Sequence, residues 1–268
     1  MARARHVVSL VDNREGEGLV DGMVVVVAAH AYEARAVAGV ARDVSREPWG
    51  RWTLYRGEMW DMNVAIVRCG PGKTAAAAAT QAAVQYLDPA VIVSFGTAGC
   101  CDPAIRRGSV VVVRSVVDVA LAEADGLPVR IPDRFDADGD LLRQLLAVPG
   151  TQEGRVLSWE GHVASPAHRP AAARSSGTDA TLSEVVDWES AAVAQVSSCW
   201  GIPWGGIKVV SDHGEPGRLR LLAVAARRPL QWAAEVLRRA SDAYLKERFD
   251  TRDPGATAVN PGREENGE

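Results

Sequence analysis

Two short stretches, Met23 to Ala28 and Val91 to Phe95, are almost wholly apolar, and a third, Ser109 to Val119, is long and rich in valine. A strand with one face in water alternates apolar and polar residues, so a run that is apolar at nearly every position must be covered on both faces. Helical patterns lie between these runs to supply that cover. They are an alanine-rich stretch from Lys73 to Tyr86, Gly139 to Leu146, Trp188 to Trp200, and Arg227 to Phe249, where Trp232, Ala233, Val236 and Leu237 recur at helical spacing. Strands and helices in alternation predict an α/β fold, a three-layer α/β/α sandwich around a mixed central sheet.

The remaining chain fills in that plan. Trp52 to Arg56 and Val64 to Arg68 read as a strand pair, Val156 to Ser158 as a short strand, and Gly205 to Ser211 as a strand after the Trp188 helix. Leu127 to Asp138, with two prolines among charges, reads as an active-site or interface loop, and His168 to Thr181 as either a helix or a loop. Residues 1–22 are expected to be an N-terminal extension, 23–249 one catalytic domain, and 250–268 a disordered tail, since the last segment has no apolar periodicity. At 268 residues and 47% hydrophobic content the chain can bury a full core.

A formal charge of −4, with arginines scattered rather than clustered, gives no electrostatic footprint for nucleic acid, so a small-molecule partner is expected. No stretch approaches the roughly 20 apolar residues of a membrane span. Cys69, Cys100, Cys101 and Cys199 show neither paired metal-site spacing nor the density of a secreted scaffold, which places the protein by expectation in a reducing, cytoplasmic compartment.

Chemistry-bearing residues gather where strands end. Ala29-His30-Ala31-Tyr32-Glu33 follows the first valine run, Gly96-Thr97-Ala98-Gly99 the second strand, and Ser211-Asp212 the Gly205 strand, while Asp187-Trp188-Glu189 opens a helix. Open α/β sheets bind ligands at the carboxyl ends of their strands. Each motif has a plainer reading as well: Asp212 as a turn cap, the acids before the helix as partners of its dipole, the glycines as an ordinary strand-to-helix bend. Gly70-Pro71-Gly72-Lys73-Thr74 mimics a phosphate-binding loop, but such a loop needs glycine where Val67 stands.

Order and spacing of these four motifs, from about Met23 to about Leu245, resemble the purine nucleoside phosphorylase and nucleosidase superfamily, and within it the methylthioadenosine/S-adenosylhomocysteine nucleosidase branch. The resemblance implies an N-ribosyl hydrolase that releases adenine from a 5′-substituted adenosine, without metal or organic cofactor. Carried over residue by residue, it makes Asp212 the acid that protonates purine N7 and Glu189 the acceptor of the ribose hydroxyls, with Glu33 orienting the attacking water. Thr97, Ala98 and Gly99 would approach the water or the sugar. Asp187, Trp188 and Ser211 would line the site, and His162 and Val163, with Trp159 as a competitor, would meet the base. It also implies a homodimer, with the segment from Leu121 to Phe135 as an intersubunit wall.

The chain departs from the family's pattern at several points. Trp188 replaces a methionine that lies against the sugar, His30-Ala31-Tyr32-Glu33 keeps only the last acid of a Met-Glu-Glu-Glu stretch, and Cys100 stands where glycine is usual. Phosphorylases of the same fold carry phosphate-binding arginines where this chain has Glu33 and Ser94, which favours water as the nucleophile. The alternatives are a phosphorylase of this fold, or a nucleosidase for futalosine or adenosylhopane.

Overall fold

A computed structural model describes residues 22–59, 62–100, 104–119, 134–160, 183–213 and 226–249. His162, Val163, the stretch from His168 to Thr181, almost all of the proposed extension and the whole of the proposed tail lie outside the described residues, as do Cys101 and the greater part of the Leu121 to Phe135 wall.

The first valine run forms β1 (Met23–Ala28), followed by α1 (Ala31–Ala38), β2 (Arg42–Trp49), β3 (Trp52–Met59), β4 (Met62–Arg68) and α2 (Lys73–Leu87). Then come β5 (Pro89–Cys100), β6 (Val110–Asp118), β7 (Arg134–Asp136), α3 (Gly139–Leu146) and β8 (Thr151–Ser158). The chain continues through β9 (Ser183–Asp187), α4 (Ser190–Cys199), β10 (Trp204–Asp212) and α5 (Arg227–Phe249).

The expected double cover is visible residue by residue in β1. Successive side chains point to opposite faces, so Val24 and Val26 enter one core with α1, α3 and α5, while Val25 and Val27 enter another with α2 and α4. All four are at most 2% exposed, and each contributes on the order of 1.5–3 kcal/mol of burial. Helices on both faces of one mixed sheet give the α/β architecture that the apolar runs require.

Part of the sheet departs from a flat layer. Strand order runs β10-β6-β8-β9-β5-β1-β4-β3-β2, and β10 also pairs with β5, so five strands close into a ring from which β1, β4, β3 and β2 extend as an open wing. β5 belongs to both. Its residues 89–94 pair in parallel with β1, and only at Gly99 does it take up antiparallel pairing with β9. Between Ser94 and Gly99 one edge of β5 is therefore released by β1 and not yet held by β9, and the sheet parts there.

Several boundaries differ from the sequence expectation. β2 carries Arg42, Asp43, Ser45, Arg46, Glu47 and Pro48, all exposed, and has no apolar alternation to betray it; it forms an edge by pairing with β3 alone. The Leu127 to Asp138 loop contains β7, whose Phe135 is buried in the third core rather than offered to a partner. The fourth helix begins at Ser190, not Trp188, because Asp187 ends β9 and its carboxylate receives the Ser190 N–H at 3.2 Å.

Candidate active site

The site lies where β5 leaves β1. Val27, Ala29, Glu33, Cys69, Ser94, Phe95, Gly96, Thr97, Glu189 and Lys208 line a cleft of about 220 Å³.

Glu33 enters from the first turn of α1 and is 2% exposed. Its Oε2 accepts the His30 N–H at 2.8 Å, the backward half of a capping box. Its Oε1 accepts two bonds from the released edge of β5, the Thr97 N–H and the Thr97 hydroxyl, each at 2.8 Å. Gly96 makes room for this, since a Cβ at that position would stand 2.9 Å from Glu33 Oε1. The sequence requirement for glycine here is thus a close approach of a carboxylate to backbone.

Glu189 reaches the cleft from the residue before α4, and its Oε1 accepts the Gly72 N–H at 2.8 Å. The next amide of the α2 N-terminus, Lys73 N–H, is taken by Glu160 Oε1 at 2.7 Å, and Lys73 Nζ by Asp118 at 2.7 Å. The phosphate-loop mimic is therefore filled by the protein's own carboxylates. Burial first, and the neighbouring Asp187 second, push the Glu189 acid up to about 7, against the pull of Lys208 and the Gly72 amide.

Beneath the cleft Asp187 meets Lys208, with Nζ to Oδ2 at 2.8 Å and both side chains at most 3% exposed. Burial disfavours either charge alone. Their contact overrides it, holding Asp187 below and Lys208 above their ordinary ranges. The Ser190 hydroxyl also donates to Asp187, and Lys208 Nζ donates to Ser94 Oγ at 3.0 Å.

Asp212 ends β10 in register with Gly99. Its Oδ2 accepts the Ser211 hydroxyl at 2.6 Å, and a Cβ at Gly99 would meet its Oδ1 at 3.4 Å. Ser211 Oγ also lies 3.1 Å from the Ala98 carbonyl. The Tyr32 phenol, raised to about 12 chiefly by burial, feels the charges of Glu33, Glu189 and Asp212.

Of the residues singled out in the sequence, Glu33, Thr97 and Glu189 line the cleft, Asp187 contacts its lining lysine, and Ala98, Gly99, Ser211 and Asp212 meet at the adjoining ends of β5 and β10. Trp188 is 40% exposed between the two acids, while His162 and Val163 lie outside the described residues. Asp187 is not a helix opener but the last residue of a strand, turned under the cleft onto a lysine. Sequence reasoning missed Lys208, Tyr32 and the Gly72 amide. Lys208 was detectable: a lysine inside Ile207-Lys208-Val209-Val210, in a strand buried on both faces, requires a buried acid as partner. Among the described residues no group of three or more metal-ligating side chains is present, and no helix is long and apolar enough to cross a membrane.

A sequence model of the phosphorylase superfamily matches residues 23–246. The 5′-methylthioadenosine/S-adenosylhomocysteine nucleosidase of Actinobacillus succinogenes is 26% identical over 200 residues, covering 71% of this chain and 85% of that protein. The enzyme of the same name from Anoxybacillus flavithermus is 29% identical over 168 residues, 60% of this chain and 72% of the relative. Among solved structures, the Streptococcus pneumoniae nucleosidase with 8-aminoadenine superposes with a TM-score of 0.70 at 19% identity, over 82% of this chain and 99% of that one. Futalosine hydrolase of Helicobacter pylori superposes with a TM-score of 0.69 at 16% identity, over 83% and 98%. These superpositions establish a shared fold. With the family model spanning the whole described sheet, the chain belongs to the phosphorylase superfamily.

Proposed function

We propose that the protein is a purine nucleosidase, which hydrolyses the N-glycosidic bond of a 5′-substituted adenosine and releases adenine. The observation that carries this reading is the cleft's charge. Two carboxyl groups, Glu33 and Glu189, line it, a third, Asp212, stands at the end of β10, and the only cation among its described lining residues, Lys208, is committed to Asp187. Phosphate would need positive charge at the sugar; a developing sugar cation needs the negative charge that is present.

In the proposed reaction the C1′–N9 bond breaks with its electron pair passing to the purine, whose N7 takes a proton from Asp212. Glu189, ionised, faces the ribose and stabilises the cationic sugar. Water attached to Glu33 forms the new bond to C1′ and gives its proton to that carboxylate. The products are free adenine and the 5′-substituted ribose, and the two acids exchange one proton with solvent to reset. The names of the curated relatives support methylthioadenosine or S-adenosylhomocysteine as substrate.

Chromatography of purified protein with methylthioadenosine, S-adenosylhomocysteine, futalosine, adenosine and inosine tests the substrate class. Adenine from one of the first two is expected, and turnover of inosine alone would reverse the reading. A homodimer in the cytoplasm belongs to the same proposal; a monomer with full activity in light scattering at micromolar concentration would remove the dimer from it.

A further inference from the structure

The hydrogen bonds around Thr97 have only one consistent direction. Glu33 receives backbone N–H groups on both oxygens, so it serves as an acceptor. Thr97 Oγ1, 2.8 Å from Glu33 Oε1, must then spend its single proton on that carboxylate. The contact between Tyr32 Oη and Thr97 Oγ1 at 3.2 Å is left with the phenol as donor. Burial keeps the phenol protonated well above neutral pH, so the donor is present throughout the working range. The ring that carries it, on the first turn of α1, stacks nearly parallel on His30, with centroids 5.3 Å apart and 9° between planes, and packs against the core.

The chain Tyr32 to Thr97 to Glu33 also decides which carboxylate oxygen can hold the nucleophile. Among the described residues Oε1 has two donors and Oε2 has one, and each carboxylate oxygen offers two lone-pair positions. Oε2 therefore keeps the position open for a water. If the Thr97 hydroxyl turned away, Oε1 would compete for that water.

We propose that Tyr32 is a positioning residue: its hydroxyl fixes the Thr97 proton on Glu33 Oε1 and so directs the attacking water to Glu33 Oε2. The role lies in the alignment of the nucleophile and rests on the hydrolase reading above. Nothing in the Ala29-to-Glu33 stretch as a sequence assigned a role to this tyrosine.

The test compares wild type, Tyr32→Phe, Thr97→Val and the double variant by kcat and KM for adenine release, with melting temperatures alongside. Wild-type turnover is read first, so a failure of the hydrolase reading shows there and not in the variants. Tyr32→Phe should lower kcat by about fivefold to tenfold, the worth of one aligned hydrogen bond, with KM and melting temperature unchanged. In the Thr97→Val background the same change should have no further effect, because the relay is already cut. An unchanged kcat in Tyr32→Phe, losses that multiply in the double variant, or a change in KM alone would overturn the proposal; the last would make Tyr32 a direct ligand contact.

Discussion

Two layers of this site hold buried acids two residues apart and treat them in opposite ways. Below the cleft, Asp187 is neutralised by Lys208 and dressed by Ser190, and its carboxyl is held below the ordinary range. In the cleft, Glu189 has a backbone amide and, among the described residues, no ion pair of its own, and its carboxyl is pushed up to about 7. The lower layer is built for stability, since a buried charge with a matched partner resists change. The upper layer stores a cost that a cationic sugar would relieve. The same lysine serves both, as the partner of Asp187 and as a positive charge that pulls against the rise at Glu189.

Removing the chemistry without the floor should give the largest effect. Asp212→Asn keeps the register with Gly99 but cannot deliver a proton to the base, and loss of such acid catalysis is typically ~10²–10⁴-fold. The expected outcome is that loss in kcat with an unaltered urea midpoint; a variant retaining more than about a tenth of the wild-type rate would take Asp212 out of the mechanism.

Lys208→Met attacks the floor. It strands Asp187 as a buried carboxylate without its cation, and breaking a buried pair from one side costs about 3–5 kcal/mol. Urea unfolding at pH 8 should show a loss of that size. If the midpoint barely moves, the two layers do not differ as argued.

Glu189→Gln separates the layers most finely and should change stability less than Lys208→Met. Because the folded-state acid titrates near 7 rather than at its ordinary 4.5, the folded protein binds its proton more tightly than the unfolded chain. The wild-type stability associated with this group is complete below about 4.5 and is lost as pH rises through about 7. The amide variant should therefore match wild type near pH 4.5 and be more stable at pH 8, by about 1–3 kcal/mol. Its activity should fall, and the acid limb near pH 7 expected in the wild-type kcat/KM profile should vanish with it. A variant less stable than wild type at pH 8 would mean that Glu189 is a structural cap like Asp187.

How much of this was legible in the sequence follows the same division. The doubly covered strands announced themselves because burial on both faces leaves an apolar residue at every position, and helices α3 and α5 because their faces repeat at helical spacing. β2 was not legible, being an exposed edge strand held by backbone pairing alone. The closure of five strands into a ring was not legible either, since it depends on β5 changing neighbours partway along. The acids were found from their places at strand ends and a helix start, and their roles from the family resemblance. Which of them would be paired and which left strained depended on Lys208 crossing from β10, a contact between residues 21 apart in sequence that no local pattern records.

The central claim is that the acid-lined cleft uses water and not phosphate. It is tested most directly by following methylthioadenosine turnover in phosphate-free buffer and across added phosphate, with the sugar product identified in each. Adenine and the free 5′-methylthioribose, at a rate that phosphate does not raise, is the predicted result. Dependence of the rate on phosphate, with a sugar 1-phosphate as product, would contradict it.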